Sequence, residues 1–128
     1  MPQTVMNWEG RSILVVEDDQ MNYNYLDVLL KPTKARVLHA RNGEMAVELC
    51  EQHPGISVVL MDLRLPLLNG LDAAKQILGF RRGLPIIAQT AYAREYDREQ
   101  ALDAGCCDYI AKPLRANEML ELIRKYIE

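Results

Sequence analysis

No stretch of this sequence approaches the run of about 20 apolar residues that a membrane-spanning helix needs. Residues 1–10 are polar and lack the apolar core of a secretion signal, so neither export nor direct membrane contact is expected. Basic clusters are missing too. The 15 lysines and arginines are interspersed with 18 acids, for a net charge of −3, which argues against a nucleic-acid surface. Cysteine is scarce and odd in number: Cys50, Cys106 and Cys107 have no metal-ligand spacing, and adjacent cysteines rarely bridge. They read as reduced packing residues of a cytoplasmic protein. Internal repeats and low-complexity stretches are absent. At 128 residues the chain has no length for a second or output domain, or for an eight-fold barrel of about 250 residues. Linker character is confined to residues 1–10, which leaves 11–128 as the domain. Trp8, within that extension, is either a linker remnant or a docked staple.

What is present alternates between two hydrophobic periods. Short apolar runs rich in branched residues predict buried strands at 13–16, 37–40, 58–61, 85–88 and 109–111. Between them lie segments at helical spacing. The first spans about 20–30, with Leu26, Leu29 and Leu30 on one face. The second starts near Glu44, after Asn42-Gly43, and carries Met45, Ala46, Leu49 and Cys50. The third, at 71–80, follows Asn69-Gly70, and the fourth, at 95–104, is capped by Gly105. The last, at 116–127, aligns Met119, Leu120, Ile123 and Ile127 in one stripe. Met21, Tyr23 and Tyr25 on the first helix are either buried packing or a docking surface. Five strand–helix pairs in strict alternation imply parallel strands with right-handed crossovers. The expected fold is therefore α/β: an open, doubly wound, flavodoxin-like five-stranded parallel sheet in the order 2-1-3-4-5.

In such a sheet ligands bind at the carboxyl ends of the strands, near the switch in strand order. The residue after each apolar run is thus the informative one. The first strand leads into Glu17-Asp18-Asp19, the third into Asp62, the fourth into Thr90 and the fifth into Lys112-Pro113; the second leads into Arg41-Asn42-Gly43 and offers no acid. Taken singly, each has a plain alternative, since Asp18, Asp19 or Asn69 could simply cap a helix. Together they converge in space once the sheet forms. Carboxylates about 5 Å apart at an effective dielectric of about 20 repel by about 3 kcal/mol per pair. A hard divalent cation answers that repulsion, because Mg²⁺ takes carboxylate oxygens while keeping several waters. Lys112 adds a fixed positive charge. A carboxylate nucleophile, Asp62, beside a metal and a lysine suits phosphoryl transfer.

At these residues the sequence closely resembles the response-regulator receiver family. The matching pieces are Ile13-Leu14-Val15-Val16-Glu17-Asp18-Asp19, Met61-Asp62-Leu63-Arg64-Leu65-Pro66 with Asn69-Gly70, Thr90-Ala91, and Tyr109-Ile110-Ala111-Lys112-Pro113. The resemblance covers everything after about Gly10. It implies that Asp62 is the phospho-acceptor, that Asp18 ligates Mg²⁺ (or Mn²⁺) directly, and that Glu17 holds metal-bound water. The Arg64 backbone carbonyl would be a further ligand. By the same resemblance Lys112 pairs with phosphoryl oxygens, Thr90 moves its hydroxyl onto the phosphoryl group, and Tyr109 swings inward behind it. The Lys112-Pro113 bond is expected to be cis. Two positions vary within the family: the Arg64 side chain and Tyr92 would border the phosphoryl group and slow its hydrolysis, or else be solvent-exposed. Catalysis would be limited to the domain's own phosphorylation and dephosphorylation.

Residues 1–10 and Pro85-Ile86-Ile87-Ala88-Gln89-Thr90-Ala91-Tyr92 also resemble receiver modules of hybrid histidine kinases. The implied partner is a histidine kinase or histidine phosphotransfer domain. The fourth helix, fifth strand and fifth helix form the expected output face and a homodimer surface. Three other readings compete. An aspartyl-phosphate phosphatase of the haloacid dehalogenase type needs an acid two residues after the nucleophile, where Arg64 stands. A nucleotide or flavin module needs a Gly-rich loop after the first strand, where three acids stand instead. A receiver-like module that only binds partners would not need every pocket residue retained.

Overall fold

The computed structural model describes residues 6–65, 68–91, 94–112 and 115–128. Strands β1 (Ser12–Val16), β2 (Arg36–Ala40), β3 (Ile56–Asp62), β4 (Ile86–Thr90) and β5 (Asp108–Ala111) form one parallel sheet in the order β2-β1-β3-β4-β5. Helices α1 (Gln20–Leu30), α2 (Gly43–Gln52), α3 (Gly70–Phe80), α4 (Glu95–Asp103) and α5 (Ala116–Ile127) make the crossovers. The expected doubly wound α/β architecture and strand order are the ones observed. Among the described residues no helix is long and apolar enough to cross a membrane.

The sheet is covered on both faces, so its central strands are apolar in continuous runs rather than alternating. Alternate residues of β1 divide between two cores. Leu14 and Val16 pack with Ala46 and Cys50 of α2 and with Ala73, Ala74 and Ile77 of α3. Ile13 and Val15 pack with Leu26 and Leu30 of α1 and with Met119, Ile123 and Ile127 of α5. The edge strands β2 and β5 are only half-buried, unlike the fully buried runs the sequence suggests, because each has a neighbour on one side alone. Met45, grouped with the apolar face of α2, is exposed, and so is Cys107.

Helix boundaries follow local chemistry. Asp19, Asn42 and Asn69 cap the amino ends of α1, α2 and α3 by accepting backbone N–H bonds. Helix α4 closes as expected at Gly105, whose φ of 99° is left-handed. Gly105 N–H donates to the Leu102 carbonyl at 3.0 Å and Cys106 N–H to the Ala101 carbonyl at 3.1 Å, the paired bonds of a Schellman stop. Strands β3 and β4 run on through Asp62 and Thr90, because Asp62 pairs with Gln89 and Thr90 with Ala111. Two residues expected just beyond their strands are thereby held inside the ladder.

Of the two readings of Trp8, the structure shows a docked side chain. It is buried in the α1–α5 core, and its indole Nε1–H donates to Glu128 at 2.9 Å. Trp8 thus ties the segment ahead of β1 to the end of α5. Trp8→Ala is expected to cost about 3–5 kcal/mol in chemical denaturation, as truncating a buried aromatic does. A loss under about 1 kcal/mol would mean that the ring is not part of the core.

Candidate functional site

Glu17 and Asp62 reach the carboxyl edge of the sheet from β1 and β3, the strands flanking the switch in strand order. Glu17 extends the β1 ladder, its N–H donating to the Ala40 carbonyl at 2.9 Å. Asp19 leaves the site to cap α1, whereas Asp18 joins Glu17 and Asp62. One carboxylate oxygen from each of Glu17, Asp18 and Asp62 lies within 4.8 Å of the other two. Glu17 and Asp62 are buried and Asp18 is exposed, so the cluster opens to solvent on one side.

Lys112 closes the arrangement from the far edge. Its ammonium donates to Glu17 at 2.9 Å and to Asp62 Oδ2 at 3.0 Å, so the side chain spans β4 to reach β3 and β1. Its backbone is tied to the same edge, with its N–H donating to the Thr90 carbonyl at 2.7 Å. The other Asp62 oxygen, Oδ1, accepts the Arg64 N–H at 2.9 Å. Both Asp62 oxygens are therefore oriented by donors.

Burial raises the Glu17 carboxyl to about 7; the Lys112 hydrogen bond opposes this, and neighbouring Asp62 adds to it. Burial works against the Lys112 charge, but its bonds to Glu17 and Asp62 outweigh that and hold its pKa above the ordinary lysine value. The donor set fits a hard cation: three carboxylates, two of them buried, converge with no thiolate or imidazole among them.

Thr90 is buried at the end of β4. Tyr109 pairs in register with Ala88 and shares its face of the sheet, as does Thr90 two residues along β4. The Tyr109 ring packs against the α2–α3 core, and its hydroxyl feels Asp97 and Arg94 around the start of α4. The Arg64 side chain is exposed. Tyr92 and Pro113, and with them the cis Lys112-Pro113 bond, lie outside the described residues. Gly70 permits α3 to start directly against β3: a Cβ there would collide with the Asp62 carbonyl and with Leu63.

Two neighbours of the site went unread in the sequence. His39, on the strand credited with no acid, places Nε2 2.7 Å from the Glu17 carbonyl and stacks on Tyr23. Gln89 is fully buried beside Asp62 in the ladder, with neither side-chain amide atom hydrogen-bonded. A buried unpaired polar group costs roughly 1–3 kcal/mol.

With this geometry in place, comparison with known proteins decides the family. Residues 13–124 match the family model described as "Response regulator receiver domain". The chain belongs to the response-regulator receiver domain family. Receiver domains of this kind serve two-component signalling. Among curated relatives, the polar-differentiation response regulator DivK of Brucella anthropi is 32% identical over 119 residues, which is 91% of this chain and 96% of DivK. The receiver domain of the Pseudomonas aeruginosa sensor histidine kinase PA1611, solved with magnesium coordinated in its active-site cleft, is 38% identical with a TM-score of 0.85. That match covers 92% of this chain and 98% of the other. A chain in the Saccharomyces cerevisiae co-crystal of the histidine phosphotransfer protein Ypd1 with the receiver domain of Ssk1 is 31% identical, with a TM-score of 0.85. It covers 97% of this chain and 91% of its own length.

The raised Glu17 pKa sets a pH dependence in the metal-free protein. An acid whose folded pKa lies above its unfolded value of 4.5 binds more protons when folded, so stability falls as pH rises between 4.5 and about 7. Denaturation midpoints of wild type are expected to drop across that window relative to Glu17→Gln. Parallel profiles for the two proteins would show that Glu17 is not the strained acid.

Proposed function

We propose that this receiver domain takes a phosphoryl group from phosphohistidine onto Asp62 in a Mg²⁺-dependent step and changes shape through Thr90 and Tyr109. The observation that carries the reading is the meeting of three carboxylate oxygens within 4.8 Å of one another, with an ammonium bonded to two of the acids, at the ligand-binding edge of the sheet. Glu17, Asp18 and Asp62, with the Arg64 carbonyl, would hold the ion, which supplies fixed positive charge opposite the phosphoryl oxygens.

The chain's own groups account for the rest. A carboxylate oxygen of Asp62 forms the new bond to phosphorus while the bond from phosphorus to the donor imidazole nitrogen breaks. The nitrogen leaves with the electron pair and takes up a proton. Arg64 N–H and Lys112 hold the Asp62 carboxylate in one orientation before attack, and Lys112 then pairs with a phosphoryl oxygen. The Thr90 hydroxyl turns to the phosphoryl group, gaining a charge-assisted hydrogen bond worth roughly 1.5–3 kcal/mol. That is enough to shift a two-state equilibrium about 10- to 100-fold. Tyr109, on the same face, follows into the space Thr90 leaves and alters the surface of α4, β5 and α5.

The partner is a histidine kinase or histidine phosphotransfer domain, a reading supported by the yeast complex. It is also supported by an apolar stripe on α1, next to the acids: Met21, Tyr25 and Val28, spaced one helical turn apart, are 81%, 46% and 65% exposed. Of the two readings of these residues, packing accounts for half-buried Tyr23, while Met21 and Tyr25 face solvent.

Incubation with a small phosphodonor and Mg²⁺, followed by mass spectrometry, is expected to add one phosphoryl group of about 80 Da to wild type and none to Asp62→Ala. Tyr109→Ala should still be labelled but lose the phosphorylation-dependent change in partner binding. Labelling of Asp62→Ala, or labelling of wild type without metal, would overturn the acceptor assignment. A Tyr109→Ala protein that responds like wild type would overturn the switch.

A further inference from the structure

The edge strand β2 supplies no acid, yet one of its side chains reaches the backbone that carries the acid cluster. His39 sits at the penultimate position of β2, paired in register with Val15 of β1. Its Nε2 lies 2.7 Å from the carbonyl oxygen of Glu17. A carbonyl can only accept, so Nε2 carries the hydrogen and donates it. The ring is held from a second direction: Tyr23 of α1 stacks on it with centroids 3.6 Å apart and planes 6° apart. Beyond Ala40 the chain turns away to begin α2, with the Asn42 side chain capping that helix at Met45 N–H. Glu17 N–H already bonds the Ala40 carbonyl, and the imidazole adds a second hold from β2, on the carbonyl of the peptide that joins Glu17 to Asp18.

We propose that His39 is a positioning residue for the cation site, fixing through the Glu17 carbonyl the peptide from which both acids project. This rests on the reading of Glu17 and Asp18 as metal-holding residues. The peptide between them lies just past the end of β1, and its rotation would swing the two carboxylates relative to each other and to Asp62. Groups that orient metal ligands affect affinity although they never touch the ion. Tyr23 restrains the ring by stacking and presents no donor to Glu17, so the two contributions can be separated by substitution.

His39→Phe keeps a ring for Tyr23 to stack on and removes the donor. His39→Gln removes the ring and keeps an N–H at the reach of Nε2. Isothermal titration of the metal-free protein with Mg²⁺ is expected to show affinity about three- to tenfold weaker for His39→Phe and within about twofold of wild type for His39→Gln, the change produced by losing one hydrogen bond. Thermal midpoints measured alongside report packing. If His39→Phe binds Mg²⁺ like wild type, or if His39→Gln weakens as much as His39→Phe, the positioning role is wrong whatever the midpoints do. If wild type itself binds no Mg²⁺, the failure lies in the assignment of the metal site, and the positioning role falls with it.

Discussion

Two buried carboxylates, Glu17 and Asp62, share the single ammonium of Lys112, and the rest of the site is arranged around that contact. Burial makes charge on either acid costly, and their proximity makes charge on both costlier still. Lys112 relieves both terms only by reaching across β4, which needs β5, β4, β3 and β1 to be neighbours in that order and aligned at their carboxyl ends. The strand order is thus a functional requirement as well as a packing solution. One ammonium does not balance three acids, and at Glu17 burial first, then the neighbouring Asp62, raises the carboxyl against the Lys112 bond. That negative potential, open to solvent at Asp18, makes the pocket receptive to a hard cation.

The surrounding fold holds this charged knot without flooding it. β1, β3 and β4 are buried on both faces, so the only exit for polar side chains is at their ends. Caps free the acids from other duties: Asp19, Asn42 and Asn69 satisfy the helix amino ends, which leaves Asp18 and Asp62 available. Gly70 lets α3 begin against the Asp62 backbone, so Asp62 is braced by close packing as well as by hydrogen bonds. At the opposite end of the sheet, Trp8 joins the amino-terminal segment to α5 and seals the second core.

Much of this was legible in the sequence because it is carried by period and position. Apolar runs followed by Glu17, Asp62, Thr90 and Lys112 give strand ends, and a parallel sheet brings strand ends together. What escaped depends on side chains crossing between elements. His39 lies in a half-buried edge strand, and nothing in its neighbours signals that an imidazole meets a carbonyl 22 residues away. Gln89 is hidden in a run of branched residues and is notable only once both amide atoms are seen to lack partners. The choice between the two readings of Trp8 turns on residues far along the chain, since the ring lies in the α1–α5 core and bonds Glu128, 120 residues distant. Edge-strand exposure and the outward turn of Met45 follow from neighbours that helical and strand periods do not encode.

The most direct test of the shared-ammonium constraint is the Mg²⁺-induced rise in thermal midpoint of Lys112→Met compared with wild type at neutral pH. Removing the ammonium leaves the buried acids without their internal counter-charge. The metal-free variant should therefore melt lower than wild type and recover more on adding Mg²⁺, giving a larger rise. An equal or smaller rise in Lys112→Met, or a metal-free midpoint no lower than that of wild type, would show that the lysine does not hold the acid cluster together.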